Sequence, residues 1–181
     1  MGMVGVTGGN RMVVQDVNDV LLYLPRWYDK ANSTSRSTAN TGATVTDDPD
    51  LSGIPLEVGI FEILVLGYFA LATTNTQKIQ TQWGFTGTWG ATALRRACGP
   101  GWGSVLGSDD TTINTRGYAL TSSATYDTSV VAASAGFSER AVNVNVTVAG
   151  NLSFKWAQAN ASANNTTLQA GSCVRVTRRR S

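Results

Sequence analysis

Val142, Val144, Val146 and Val148 alternate with Asn143, Asn145 and Thr147. This two-residue rhythm constrains the chain more than any other feature. Successive strand side chains point to opposite faces, so such a run makes one apolar and one polar face. Ala149-Gly150-Asn151 then reads as a hairpin turn. Beyond it Leu152, Phe154 and Trp156 repeat the alternation against Ser153 and Lys155. Residues 158–167 read as a polar loop. A last strand runs from Leu168 through Val174 and Val176, interrupted by Gly171.

The same reading extends upstream. Val58–Ala72 is a near-continuous apolar run, as for a strand covered on both faces. Ile79, Thr81, Trp83 and Phe85 alternate with Gln80, Gln82 and Gly84, and Gly87-Thr88-Trp89-Gly90 is turn-like. Residues 98–117 suit loops or a sheet edge. Tyr118–Tyr126 and Ser129–Ala133 are weaker strand candidates. Short strands at this spacing predict a mainly β fold, a jelly-roll-like antiparallel β-sandwich over residues 54–181.

Residues 1–53 read differently. Val13, Val17, Val20, Leu21 and Leu24 recur at helical spacing, with Asp16 and Asp19 opposite. Pro25 ends the pattern. One short helix is predicted, and it needs something to pack against. Residues 29–53 have the composition of a linker or extended arm. Its Asp47-Asp48-Pro49-Asp50 cluster suits a turn, or a calcium ligand set without a wider framework. The segment is expected to attach the domain to a larger body, with Val13, Val17, Val20, Leu21, Leu24 and Trp27 as the docking side chains.

Composition narrows the chemistry. Only 14% of the 181 residues are charged, against about 25% in ordinary globular chains. The polar surface therefore comes from Thr, Ser, Asn and Gln. It suits a protein packed among many neighbours, or a soluble β domain with a Thr/Asn-rich exterior. The net charge of +2 gives no reason to expect a nucleic-acid partner. Arg95-Arg96 and Arg178-Arg179-Arg180 are its basic clusters, the latter either a contact for an acidic surface or a solvated tail.

No signal-peptide pattern opens the sequence, and Val58–Ala72 is too short to span a bilayer. Synthesis in a cytoplasm, with no membrane partner, is the expectation. Cys98 and Cys173 are then expected as buried thiols rather than a disulfide. The Asn-X-Ser/Thr sequons, from Asn32 to Asn165, read as by-products of an Asn/Thr-rich composition.

Histidine is absent. That removes Ser-His-Asp and Cys-His pairings and the commonest zinc ligand. No phosphate loop or dinucleotide fingerprint occurs, and no cofactor or metal is expected. Glu57, Glu62, Asp109, Asp110, Asp127 and Glu139 are the carboxylates available for glycoside hydrolysis. Glu62, inside an apolar strand pattern, either has a raised pKa, faces solvent at an edge, or meets an arginine at an interface. Trp83 and Trp156 are in strand register and belong to the core. Trp89 and Trp102 lie in Gly-flanked loops and are the surface-contact candidates.

The run Asn143–Gln158, the segment Asn164–Ser172 and the closing Val174–Arg178 together resemble virion proteins of tailed phages, especially those of actinobacteria. The short Asp16-Val17-Asn18-Asp19-Val20-Leu21 helix before Pro25-Arg26-Trp27, and the Asp47–Leu51 turn before an apolar strand, fit the same pattern. Cys173, where a larger apolar residue is expected, and the triple-arginine tail depart from it. The resemblance implies a trimeric jelly-roll head similar to tumour-necrosis-factor-like and C1q-like domains. It implies a non-enzymatic minor tail protein or a capsid decoration protein, located in the virion and assembled in the host cytoplasm. Its partners would be copies of itself and other virion proteins, and a host cell-surface glycan if the head binds a receptor.

Overall fold

The computed structural model describes residues 21–38, 44–72, 78–90, 93–100, 113–126, 134–160 and 162–179. The chain is a β-sandwich of two antiparallel sheets. Among the described residues the strands are β1 (Arg26–Asp29), β2 (Thr34–Thr38), β3 (Thr46–Asp47), β4 (Ile54–Leu56), β5 (Gly59–Leu71), β6 (Ile79–Phe85), β7 (Thr88–Trp89), β8 (Leu94–Pro100), β9 (Ile113–Ala119), β10 (Ala124–Tyr126), β11 (Ser134–Val148), β12 (Gly150–Gln158), β13 (Ser162–Leu168) and β14 (Cys173–Arg179).

The large sheet has the order β1-β14-β5-β11-β8-β9, with β13 pairing β5 and β2, and β7 pairing β11. The small sheet runs β10-β6-β12-β3, with β4 also on β12. Between them lies one core. Phe61, Ile63, Val65, Phe69, Phe137, Val144, Val146, Val174 and Val176 come from the large sheet, and Ile79, Trp83, Tyr126, Leu152, Phe154 and Trp156 from the small one. Phe137 sits at its centre, stacked on Tyr126 at 4.5 Å and near Phe154 at 6.2 Å. Its ring occupies the space above Gly67, its register partner on β5.

Several sequence expectations change. The run Val58–Ala72 supplies one long strand, Gly59–Leu71, but only one face is fully covered. Phe61, Ile63, Val65, Phe69 and Leu71 are buried, whereas Leu64 and Leu66 are half-buried and Tyr68 is exposed. The Val142–Val148 rhythm is broken by a β-bulge. Ala141 pairs Ile63 and Val144 pairs Phe61, so β11 spends one residue more than β5. Asn143 takes up the excess at φ 56, a region asparagine tolerates better than most residues. The pleat shifts, so Val142 points outward and only Val144 and Val146 are buried; Val148 is exposed at the strand end.

Ala149-Gly150-Asn151 is not a hairpin turn. β11 belongs to the large sheet and β12 to the small one, so the chain changes sheets there. The corner needs glycine, because a Cβ on Gly150 would lie 2.2 Å from the Gly87 nitrogen. The polar segment read as a loop carries β13, which pairs β2 and β5. The expected arm is also built in. β1 pairs β14, β2 pairs β13 and β3 pairs β12, so the chain is woven into both sheets from Arg26 onward. Leu21–Tyr23 carry helical backbone just before Pro25. The rest of the predicted helix, with Val13, Val17 and Val20, lies outside the described residues, as do Ser129–Ala133.

Candidate interaction surface

Two fully buried ion pairs, Arg95–Glu139 and Lys30–Asp48, lie inside the sandwich, each within a larger polar cluster. In the first, Glu139 projects inward from β11 and is fully buried. Its carboxylate accepts hydrogen bonds from Trp83 Nε1 (2.5 Å), Arg95 Nη1 (2.6 Å), Tyr126 OH (2.8 Å) and the Thr81 hydroxyl. Arg95 also donates to the carbonyls of Thr81 and Ser122. Burial, reinforced by the adjacent Glu139 charge, pushes the Tyr126 phenol well above its ordinary range. This cluster ties β11, β8, β6 and β10 together. A carboxylate with four protein donors and no exposed surface is a brace, closed to a substrate.

The second cluster sits where the β1–β2 connection meets the end of β3. Lys30 Nζ donates to Asp48 Oδ2 (2.8 Å), Asp48 Oδ1 (3.0 Å), Thr34 Oγ1 (2.8 Å) and Asp50 Oδ2 (3.4 Å). The Lys30 and Asp48 side chains are both fully buried. Asp48 Oδ1 also accepts the backbone N–H groups of Asp50 and Leu51, and Oδ2 accepts Trp156 Nε1. The turn expected at Asp47–Asp50 is therefore built by Asp48, and lysine occupies the place a cation would take.

Two further candidate carboxylates, Glu62 and Glu57, are arginine partners. Glu62 lies on the outer face of the large sheet, between Arg140 (3.0 Å) and Arg175 (3.1 Å). The Arg140 hydrogen bond holds its carboxyl below the usual range, the opposite of the raised value considered from sequence. Glu57 is exposed and pairs with Arg178 at 3.0 Å. Asp109, Asp110 and Asp127 lie outside the described residues. No group of three or more His, Cys, Asp and Glu able to hold a metal occurs among the described residues.

What the fold leaves open is the outer face of the large sheet. One row of register partners crosses six strands: Trp27 of β1, Arg175 of β14, Leu64 of β5, Arg140 of β11, Arg96 of β8 and Gly117 of β9. Trp27 is 50% exposed, and the Arg175 guanidinium lies 5.6 Å from its ring centre. Leu94 (62%) and Val142 (41%) are exposed beside Arg96 and Arg140. With Thr115 and Arg116 they line a shallow groove of about 520 Å³. Tryptophan and arginine are among the side chains enriched at protein interfaces. Sequence reading singled out Trp27 here and noted Arg95-Arg96 only as a basic cluster, but missed Arg140 and Arg175. Strand alternation was the available signal, since of the pair Arg95-Arg96 only one residue can face the core.

The other expected contact residues are scattered. Leu21 and Leu24 are about half exposed and lie next to β1. Trp89 is half-buried in β7, stacked on Phe85 at 4.9 Å, so a ring face is already occupied. Trp102 lies outside the described residues. Trp83 and Trp156 are core residues, as read from their register. Cys98 and Cys173 are free thiols, Cys173 buried and Cys98 partly so. They share the row Cys173–Leu66–Ser138–Cys98, three strand spacings or roughly 14 Å apart. That exceeds disulfide reach.

Among the described residues no helix is long and apolar enough to cross a membrane. Comparison with protein-family models, curated proteins and solved structures returned no match.

Proposed function

We propose that the chain is a non-enzymatic structural subunit of a tailed-phage particle, assembled as a trimer and exposed at the particle surface. The observation that carries this reading is the outer face of the large sheet, where Trp27, Leu64, Arg175, Arg140 and Arg96 form one continuous row. Its polar chemistry supports packing rather than turnover: the Glu139 and Lys30 clusters are buried braces. The sequence pattern from Asn143 to Arg178 supplies the virion assignment. The tail is the first location and the capsid surface the second. The N-terminal segment, with Leu21, Leu24 and Trp27 at its described end, is the attachment point.

Labelling the chain and imaging purified intact particles tests the reading. Label at the tail or tail tip is the expected result. Label on the head would move the protein to capsid decoration. Particles without label, or a stable monomer at micromolar concentration, would overturn it. A receptor-binding head would instead show a tryptophan fluorescence change on titration with host cell-wall fragments.

A further inference from the structure

The Lys30 cluster holds more than an ion pair needs. Lys30 Nζ, a primary amine when it loses its proton, lies within 3.0 Å of both Asp48 carboxylate oxygens in a site closed to solvent. A second carboxylate, Asp50, lies at the edge of this site with its side chain 27% exposed and Oδ2 3.4 Å from the same nitrogen. Two backbone N–H groups, from Asp50 (3.1 Å) and Leu51 (3.2 Å), point at Asp48 Oδ1. Trp156 Nε1 holds Oδ2 at 3.0 Å. Nucleophile, electrophilic carbon, proton acceptor and a preorganised pair of oxyanion donors are the parts of an acyl transfer.

We propose that Lys30 and Asp48 condense into an intramolecular amide, cross-linking the chain to itself. Lys30 starts as an ammonium and Asp48 as a carboxylate. Asp50 relays one ammonium proton to Asp48 Oδ2, leaving a neutral amine beside a neutral carboxylic acid. The freed lone pair on Nζ attacks Asp48 Cγ to form the C–N bond, and negative charge collects on Oδ1, facing the Asp50 and Leu51 N–H groups. A second proton from the nitrogen then passes to Oδ2. The Cγ–Oδ2 bond then breaks and water leaves. Nitrogen keeps one proton as the amide N–H, the two charges cancel, and Asp50 is regenerated. No oxidant or reductant is required. Burial favours the product, because an amide removes two charges whose desolvation is costly.

The bond would have a mechanical consequence. Lys30 is held to the large sheet by backbone bonds with Ser172 and Gly171, while the Asp48 N–H bonds Phe154 on β12 of the small sheet. An amide between the two side chains bolts the sheets together covalently. This inference stands independently of the particle reading.

Intact-mass measurement of the purified full chain, followed by tryptic mapping, tests it. The expected chain is lighter than its sequence mass by one water. Residues 27–36 and 37–78 are then recovered as one branched peptide, uncleaved at Lys30. Lys30→Arg keeps the charge but cannot form this bond, and it is expected at full mass. Asp50→Asn is expected to form the bond more slowly after refolding; an unchanged rate would remove Asp50 from the step. A folded wild-type chain that stays at full mass with Lys30 open to trypsin would show an ion pair only and overturn the proposal. So would a water loss that persists in Lys30→Arg.

Discussion

Arg95 Nη1 lies 2.6 Å from Glu139 Oε2, and neither side chain has any exposed surface. Two charges have been carried into a β-sandwich core, and each depends on the other. Removing one partner leaves a buried charge uncompensated, at a cost of roughly 3–5 kcal/mol. Glu139→Gln is therefore expected to lower the urea midpoint by that equivalent. Its amide nitrogen would also face either the donors of Trp83 and Arg95 or those of Thr81 and Tyr126 without an acceptor to offer. The double variant Arg95→Met with Glu139→Met is expected to recover part of the loss, because no lone charge remains. Equal or greater destabilisation of the double variant would show that the hydrogen bonds, rather than the charge balance, dominate.

Tyr126 gives the same core a pH signature. Its folded pKa lies above the unfolded value of about 10. A raised value means the neutral phenol is favoured in the folded state. Its contribution is full below the unfolded value and is lost as pH rises above it. Stability should therefore fall with increasing alkalinity beyond about pH 10. Tyrosinate absorbance is expected to leave one slow class that appears only with unfolding. A Tyr126→Phe variant should lose that class, and an unchanged profile would rule Tyr126 out as its source.

The fold class was legible because alternation survives in β6 and β12, where Ile79, Trp83, Phe154 and Trp156 point inward as the pattern requires. What was not legible depends on long-range partners. β2 and β13 are polar segments that become strands only because they pair with each other and β13 also pairs with β5. Nothing local marks them. The bulge at Asn143 depends on a mismatch with β5 that no single strand reveals. The row on the outer face of the large sheet lay half within reach, since Trp27 stood out while its arginine neighbours come from β14, β11 and β8. Lys30 and Asp48 looked like arm residues because their burial follows from how β1 and β3 dock.

Gly67 provides a packing test. A Cβ there would lie 2.0 Å from the tip of the Phe137 ring. Overpacking of this kind typically costs 1–3 kcal/mol. Gly67→Ala is expected to destabilise by about that amount in denaturant titration. In a Phe137→Leu background the added methyl gains room, so its penalty should shrink. Equal penalties in both backgrounds would mean that the backbone, and not the ring, resists the methyl.

Asn143 tests the bulge. Its φ of 56 is one a β-branched residue adopts at a cost of order 1–3 kcal/mol. Asn143→Val is expected to lower the thermal midpoint, whereas Asn143→Gly should be close to neutral. The Arg179 Nη1 bond to Asn143 Oδ1, at 3.1 Å and exposed, adds little. If valine and glycine behaved alike, the bulge would not be what holds this register.

The outer face separates folding from assembly. Arg96 is exposed and makes no ion pair among the described residues, so replacing it costs the monomer little. Surface changes away from special features fall within about 0.5 kcal/mol. Arg96→Glu is therefore expected to leave thermal stability unchanged. It places a negative charge on the row between Arg140 and Gly117, where two neighbouring arginines already share Glu62. A partner that approaches this face with complementary charge would be repelled. The expected result is a normally folded chain with a reduced sedimentation coefficient or reduced incorporation into particles. Trp27→Ala should do the same by removing the aromatic anchor. Both variants assembling normally would move the packed surface away from the large sheet and leave this face to solvent.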